Sequence, residues 1–452
     1  MRIHFIAIGG SAMHNLALAL HNKGCIITGS DDEIFEPARS RLAAYGLLPE
    51  KEGWFPEKIT KDINAVVLGM HARKDNPELL KAQELGVKVY SYPEFLYEQS
   101  KEKIRIVIAG SHGKTTITSM ILHVMRMLDK PCDYMVGAKL EGFDIMVKLS
   151  SDAPVVILEG DEYLTSPIDL RPKFHVYKPD IALISGIAWD HINVFPTFEI
   201  YVEQFRKFAD LIEPHGRLIY CAEDAEVKKI GSSVRTDITT ASYSLPKYEI
   251  RDGKTILMHR GKEYPLLIFG QHNLLNIEGA KNVCLSLGIA EEDFYESMTH
   301  FKGAGKRLEK INDGKSCAVY KDFAHSPSKL EATVKAMKEQ YPKRRLVACM
   351  ELHTFSSLTS EFLLQYAGCM DLADDAIVYF SPHAIALKKL RPITIEEVKD
   401  AFQREDLAVY TSSQELERDL LKKDWHHANL LLMSSGNFDG MLLEDLAKKI
   451  VV

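Results

Sequence analysis

One stretch, Ile104 to Leu128 (IRIVIAGSHGKTTITSMILHVMRML), constrains this chain more than any other, because it reads as a strand, a glycine-rich turn and a helix in immediate succession. Ile104, Ile106, Val107, Ile108 and Ala109 make a short apolar run of the kind that a buried parallel strand shows. Ile117, Met120, Ile121, Val124 and Leu128 then recur at helical spacing. The turn between them is Gly110-Ser111-His112-Gly113-Lys114-Thr115-Thr116. It would point several backbone N–H groups and the positive end of a helix dipole at one spot, where an anion is favoured. From there Lys114 reaches the terminal phosphates of a nucleotide and the Thr115 hydroxyl ligates Mg²⁺. The full phosphate-loop pattern would place glycine where Ile108 stands, and the competing reading is an ordinary βα turn.

Size and charge narrow the class. At 452 residues the chain predicts about three domains if each averages roughly 150 residues. A net charge of -7 argues against a nucleic-acid-binding surface, which carries a basic excess. The 7 cysteines (25, 132, 221, 284, 317, 349 and 369) lack CxxC spacing, so they read as buried thiols and imply no zinc site. The chain opens directly on a strand with no basic leader, and no apolar run approaches the roughly 18 residues of a membrane span. A cytoplasmic enzyme without membrane insertion is expected.

Residues 3 to 103 predict a small doubly wound unit. Ile3 to Ile8 reads as a strand, Gly9-Gly10-Ser11 as a tight turn, and Met13 to Asn22 as a helix closed by Gly24. Cys25 to Thr28 is a second strand, ending in Gly29-Ser30-Asp31-Asp32 at about the 20-residue interval of a dinucleotide fold. Ala7 and Ala12 occupy the first and third glycine positions of that fingerprint, so a turn binding a different diphosphate fits better than a nicotinamide site. Ala65 to Gly69 and Val87 to Tyr90 supply further strands, with His71 and a helix start at Asn76-Pro77 between them.

Downstream of the phosphate loop lie two acidic strand ends. Pro154 to Leu158 leads into Glu159-Gly160-Asp161-Glu162-Tyr163, and Ile181 to Ser185 leads into Asp190-His191. Ligands of open parallel sheets bind beyond the carboxyl ends of the strands, so these groups and the nucleotide are expected along one edge. A carboxylate and an imidazole there would hold a second Mg²⁺ and neutralise charge as a phosphoryl group moves. The plainer alternative makes Glu159 and Asp161 helix caps and His191 a hydrogen-bonded loop residue. Ile200 to Ile212 predicts an amphipathic helix, and Gly270 to Asn276 precedes another. A third region starts near Gly303-Ala304-Gly305 and alternates strands (317–321, 346–350, 376–380, 429–433) with helices, which predicts a parallel sheet with right-handed crossovers.

Taken in order, these motifs resemble the Mur ligase family from end to end. The resemblance rests on Gly9-Gly10-Ser11 with Ser30-Asp31, GSHGKTT at 110–116, Glu159-Gly160-Asp161-Glu162, and Asp190-His191. It continues through Gly270-x-His272-Asn273-x-x-Asn276, Lys306-Arg307 and Asp322-Phe323-Ala324-His325-x-Pro327. It implies an α/β protein of three domains: a Rossmann-like N-terminal domain holding a UDP-sugar over 1–103, a central P-loop ATPase-like parallel sheet over 104–303, and a Rossmann-like C-terminal domain over 304–452. The last would close on ATP and bind the amine acceptor. ATP would lie on Gly110 to Thr116, with His272, Asn273 and Asn276 near the adenine and Arg307 and Asp322 added from the C-terminal domain. Lys114, Glu159, His191 and Arg307 would carry catalysis, with Thr115, Glu159 and His191 as Mg²⁺ ligands. Gly9, Gly10, Ser11, Ser30, Asp31 and His71 would hold the UDP group.

The implied reaction is ATP-dependent amide formation through an acyl phosphate on UDP-N-acetylmuramate. Tyr163 and the segment Asp169-x-Arg171-x-Lys173-Phe174 with Tyr177 favour the tripeptide L-Ala-γ-D-Glu-meso-diaminopimelate as acceptor, in peptidoglycan recycling. The alternative is L-alanine, the first amino acid added in wall synthesis. A reading from another class is a nucleotide-dependent regulator that hydrolyses ATP as a switch. The chain departs from the family pattern at Ala188, where a glutamate is usual, at Ser326, where a second histidine is usual, and at Ser185-Gly186, where an asparagine often stands. Met350 to Ser357 matches the family's acceptor-side loop only loosely.

Overall fold

The computed structural model describes residues 1–138, 140, 142–143, 145–189, 194–305 and 307–451. The chain divides into two compact units: residues 1–187, 199–244 and 279–290 form the first, and residues 188–198, 245–278 and 291–452 the second.

The first unit holds two sheets. Strands β1 (Arg2–Ile6), β2 (Ile26–Ser30), β3 (Ala65–Leu68) and β4 (Val89–Ser91) pair in parallel in the order β2-β1-β3-β4. Their apolar side chains pack with Leu79 and Ala82 of the helix Pro77–Glu84. That helix starts where the sequence predicts, because Asn76 accepts hydrogen bonds from the Glu78 and Leu79 amides and Pro77 has no N–H to leave unsatisfied. β1 ends at Ile6, two residues before the predicted Ile8, because Ala7 takes a left-handed φ of 67° and begins the turn.

The second sheet comprises β5 (Ile104–Ala109), β6 (Asp133–Met135), β7 (Val147–Lys148), β8 (Val155–Glu159), β9 (Ile181–Ile184), β10 (Arg217–Cys221) and β11 (Thr239–Tyr243). The order is β11-β10-β9-β5-β8-β6-β7, parallel except for the antiparallel edge β7. β5 is thus central, flanked by β8 and β9. Ile106, Val107 and Ile108 are fully buried, as are Ile157 and Leu158 on β8. Each such side chain contributes roughly 1.5–3 kcal/mol relative to exposure, which makes this strand a rigid base for the loop that follows.

In the second unit, β12 (Tyr248–Arg251), β13 (Lys254–His259) and β14 (Lys262–Leu266) form an antiparallel sheet that the sequence analysis did not anticipate. β15 (Glu309–Asp313), β16 (Cys317–Asp322), β17 (Arg345–Leu352), β18 (Asp375–Phe380), β19 (Ala408–Tyr410) and β20 (Ala428–Met433) form a sheet ordered β15-β16-β20-β17-β18-β19. It is parallel apart from β15. One face packs on Leu330, Val334 and Met337 of the helix Pro327–Gln340, and the other on Leu416, Leu420 and Leu446. The two buried faces explain why its strands read as continuous apolar runs. No helix among the described residues is long and apolar enough to cross a membrane.

Candidate active site

The phosphate loop begins where β5 ends. Gly110 has a φ of 131° and lies against Ser185, so a Cβ here would collide with the Ser185 hydroxyl and come within 3.0 Å of its amide nitrogen. Gly113 has a φ of 79° and caps the helix Lys114–Met127, whose first residues are the loop's last. Both positions need glycine because an L side chain is strained in left-handed backbone. Ser185 holds the loop from outside: its hydroxyl donates to the Ala109 carbonyl at 3.2 Å and to that of His112, and the Ser111 amide donates to Gly186 O at 2.9 Å. The residues that depart from the family's usual asparagine therefore brace the turn.

Four side chains converge on this turn. The Lys114 ammonium donates to Gly110 O at 2.7 Å and to Glu162 Oε2 at 2.8 Å. Burial lowers its pKa, but the carboxylates of Glu162, Asp161 and Glu159 outweigh that and raise it, so the lysine stays charged. Tyr201, fully buried on the helix Phe198–Asp210, is 3.3 Å from Glu162 Oε1 and 2.9 Å from Ser111 Oγ. Neither Glu162 nor Tyr201 was among the predicted site residues. Glu162 had a local signal in the acidic strand end, whereas Tyr201 reads only as one apolar position of an amphipathic helix.

Glu159 closes β8 and points at the start of the phosphate-loop helix. Its Oε1 accepts from the Thr115 hydroxyl at 2.6 Å and its Oε2 from the Gly137 amide at 2.7 Å. Burial, and then Asp161, raise its pKa, so a cation there would restore the charge that burial opposes. A hydroxyl and a carboxylate oxygen in contact suit a hard divalent ion such as Mg²⁺. Glu159 and Thr115 are thus brought together, and Glu159, one of the two acids that could have been a helix cap, caps no helix. His191 and Asp190 lie outside the described residues.

The proposed UDP-binding residues gather at the carboxyl ends of the neighbouring strands β1, β2 and β3. Gly9, Gly10 and exposed Ser11 form the turn into the helix Ser11–Asn22, and exposed His71 lies beyond β3. Two of the predicted residues face inward instead. Ser30 has no exposed surface, and its carbonyl accepts from the Ala7 and Ile8 amides. The Asp31 carboxylate accepts from the Gly9 amide at 2.7 Å and from its neighbour Asp32 at 3.0 Å, so it staples the turn. Burial pushes its pKa up to about 6, with the Gly9 bond opposing and Asp32 adding to the rise.

The helix Gln271–Ser286 opens, on residues of the second unit, with the predicted His272, Asn273 and Asn276. Burial lowers the His272 pKa to about 4, leaving the imidazole uncharged at neutral pH. Asn273 donates to Phe269 O at 2.9 Å. Asp322 ends β16 and accepts from the Leu308 and Ala324 amides at 2.5 and 2.7 Å. Burial raises its pKa against the pull of the Arg307 guanidinium, which stacks 4.5 Å over the Phe323 ring. Ser326 stands at the N-cap of the helix Pro327–Gln340.

Comparison with known proteins matches this layout segment by segment. Residues 2–103 match the Mur ligase family catalytic domain, residues 108–284 the Mur ligase middle domain, and residues 306–436 the Mur ligase glutamate ligase domain. A UDP-N-acetylmuramate–L-alanine ligase from Clostridium kluyveri is 32% identical over 391 residues, covering 83% of this chain and 82% of the relative. The chain belongs to the Mur ligase family. Two solved Mur ligase structures share its fold. A murein peptide ligase from Psychrobacter arcticus has a TM-score of 0.64 at 22% identity, and a UDP-N-acetylmuramate-alanine ligase from Thermotoga maritima has a TM-score of 0.71 at 20% identity. Each comparison covers 100% of this chain and 98% of the other. As a Mur ligase, the chain is an ATP-dependent enzyme that forms a carbon–nitrogen bond.

Proposed function

We propose that this Mur ligase joins the carboxylate of UDP-N-acetylmuramate to the amine of L-alanine, with Mg²⁺ as cofactor and ADP and phosphate as products. The observation that carries the acceptor is the set of curated relatives, such as the Clostridium enzyme and a Desulfitobacterium hafniense protein 29% identical over 84% of this chain, which are UDP-N-acetylmuramate–L-alanine ligases. They support L-alanine better than the tripeptide that Tyr163 and Arg171 favour from sequence.

The phosphate-loop amides and Lys114 bind and orient the ATP phosphates, with Glu162 and Gly110 O fixing two of the three ammonium hydrogens. The muramyl carboxylate attacks the γ-phosphoryl group, ADP leaves and an acyl phosphate forms; the amine then attacks its carbonyl carbon and displaces phosphate. Thr115 and Glu159 would hold Mg²⁺, which supplies charge neutralisation at the phosphoryl oxygens. The turn at Gly9, stapled by Asp31 through the Gly9 amide, leads into the helix Ser11–Asn22, whose N-terminus would meet the UDP diphosphate.

The tripeptide remains the second reading because Tyr163, with the Lys173 ammonium 5.9 Å from the centre of its ring, is 48% exposed on the surface. Arg171 supports it less: its guanidinium donates to the Asp169 carboxylate at 2.6, 3.0 and 3.1 Å and faces Glu94 at 3.8 Å. The test is phosphate release with ATP, Mg²⁺ and UDP-N-acetylmuramate, comparing L-alanine with the tripeptide and weighing the products. UDP-N-acetylmuramyl-L-alanine is expected. Release driven only by the tripeptide would overturn the acceptor, and release indifferent to any amine would overturn the ligase reading in favour of a nucleotide switch.

A further inference from the structure

A cavity of about 600 Å³ lies within the first unit, away from the phosphate loop. Its walls come from β4 and the helix Tyr92–Ser100, from the segment 171–178, and from the end of the helix Phe198–Asp210. Tyr97 in this wall faces the guanidinium of Arg105, the second residue of β5, 5.5 Å from its ring centre. Lys178 stands three residues before β9. The cavity therefore sits at the amino ends of β5 and β9, whereas the phosphate loop begins at the carboxyl end of β5, a strand of roughly 20 Å. A space of this size suits a small organic molecule, and neither ATP nor the UDP-sugar is assigned to it.

The lining combines cations with apolar surface from Val89, Val176 and Leu211. Lys88 and Lys178 are held by tyrosines, their ammonium groups 4.6 Å from the centre of the Tyr90 ring and 5.4 Å from that of Tyr97. Neither these two nor Lys207 enters a salt bridge among the described residues. The acids of the lining are engaged elsewhere. Glu94 Oε2 accepts from the Ser91 amide and hydroxyl, both at 2.8 Å, its Oε1 faces Arg171 at 3.8 Å, and Glu98 pairs with Lys101 at 3.4 Å. Asp237, and then Asp210, raise the pKa of Arg235. His175 registers the positive field: burial lowers its pKa, and Lys207 and Arg171 add to that against the bond to Gln204 O, which Nε2 donates at 2.7 Å.

We propose that this cavity is a regulatory site for an organic phosphate that carries a planar ring, of the nucleoside monophosphate class. Lys88, Lys178 and Lys207 donate to the phosphate, and the ring covers Val89, Val176 and Leu211. Two pieces of chain join the site to the phosphate loop. Lys207 lies six residues, roughly 9 Å, along the same helix from Tyr201, which reaches Ser111 and Glu162. The segment that ends at His175 begins at the partner of Lys114, Glu162, and folds back on it: the Phe174 amide donates to Asp161 O at 3.2 Å and the Lys173 amide to Tyr163 O at 2.8 Å. A ligand that shifts either piece alters the contacts of Lys114, and so the affinity for ATP. The inference does not depend on which amine the enzyme uses.

The experiment measures binding of AMP to the full-length protein by calorimetry, without turnover, beside adenosine and inorganic phosphate. AMP should bind about tenfold or more tightly than adenosine, which leaves the lysines without a partner. Lys178→Ala combined with Lys207→Ala should weaken AMP by about 10²-fold, whereas Lys114→Ala should leave it within about twofold of wild type. Both cavity lysines are exposed, so the double variant should release phosphate as wild type does when AMP is absent. With AMP present, the KM for ATP should change severalfold in wild type and stay constant in the double variant. Tyr201→Phe should keep AMP binding and lose most of that change. A wild type that does not bind AMP, or binding that Lys114→Ala removes and the cavity variant does not, would overturn the site. An unchanged KM for ATP with AMP bound, or a change that survives in the double variant, would overturn its link to the phosphate loop.

Discussion

The chain contains two strand–turn–helix units of the same backbone design that do different work. At Gly9-Gly10-Ser11 the turn carries no cation of its own, begins on a left-handed alanine, and is stapled by a carboxylate from the next strand. At Gly110 to Thr116 the turn begins on a left-handed glycine, carries a lysine and a threonine hydroxyl, and is braced by Ser185, Glu162 and Tyr201. Backbone amides and a helix dipole suffice to hold an anion. Moving a phosphoryl group also needs charge placed against the transition state. The first turn is suited to binding and the second to binding with chemistry.

The sharpest test of that contrast is Lys114→Ala. Phosphate release should fall by roughly 10³-fold or more, while UDP-N-acetylmuramate affinity by calorimetry stays within about twofold, because the site proposed for the sugar nucleotide is the other turn. Equal loss of both would erase the distinction. A smaller effect is expected at the staple. Asp31 has its folded pKa raised to about 6, so its contribution to stability is complete below its unfolded value and is lost as pH rises through 6. Wild type should therefore gain on Asp31→Asn in thermal midpoint as pH falls from 7 towards 4, by on the order of 2 kcal/mol. A pH-independent difference would show that the carboxylate is not buried against the turn. The smallest effect is expected for Ala7→Gly, which relieves about 1 kcal/mol of left-handed strain and gives most of it back as unfolded-chain entropy. A denaturant midpoint shift equivalent to more than about 1 kcal/mol in either direction would mean that the first turn depends on its alanine in a way the second does not depend on Gly110.

Much of the catalytic loop was legible because its signals are local. A β-branched run, two glycines, a lysine and a helical apolar period lie within 25 residues, and the loop forms where they predict it. The strands of the doubly wound sheets were legible for the same reason, since burial on both faces leaves unbroken apolar runs. The antiparallel strands β12 to β14 were not, because their exposed faces interrupt the apolar pattern with Lys254, Lys262 and Glu263. Strand ends were also displaced by turn geometry, as at Ala7. The acceptor was the least legible of all: Tyr163 and Arg171 pointed to a tripeptide, the curated relatives support L-alanine, and Arg171 is occupied by Asp169.

The sequence by itself determined which groups the chain could bring to a phosphate, because Lys114, Thr115 and the acidic end of β8 are set by local order and strand alternation. Only the tertiary structure decided which of them work as partners. Glu162 reaches Lys114 across 48 positions, and Tyr201 reaches Ser111 across 90. Such pairings depend on which strands lie side by side. Strand order follows from how helices cover a sheet, not from the residues on any one strand.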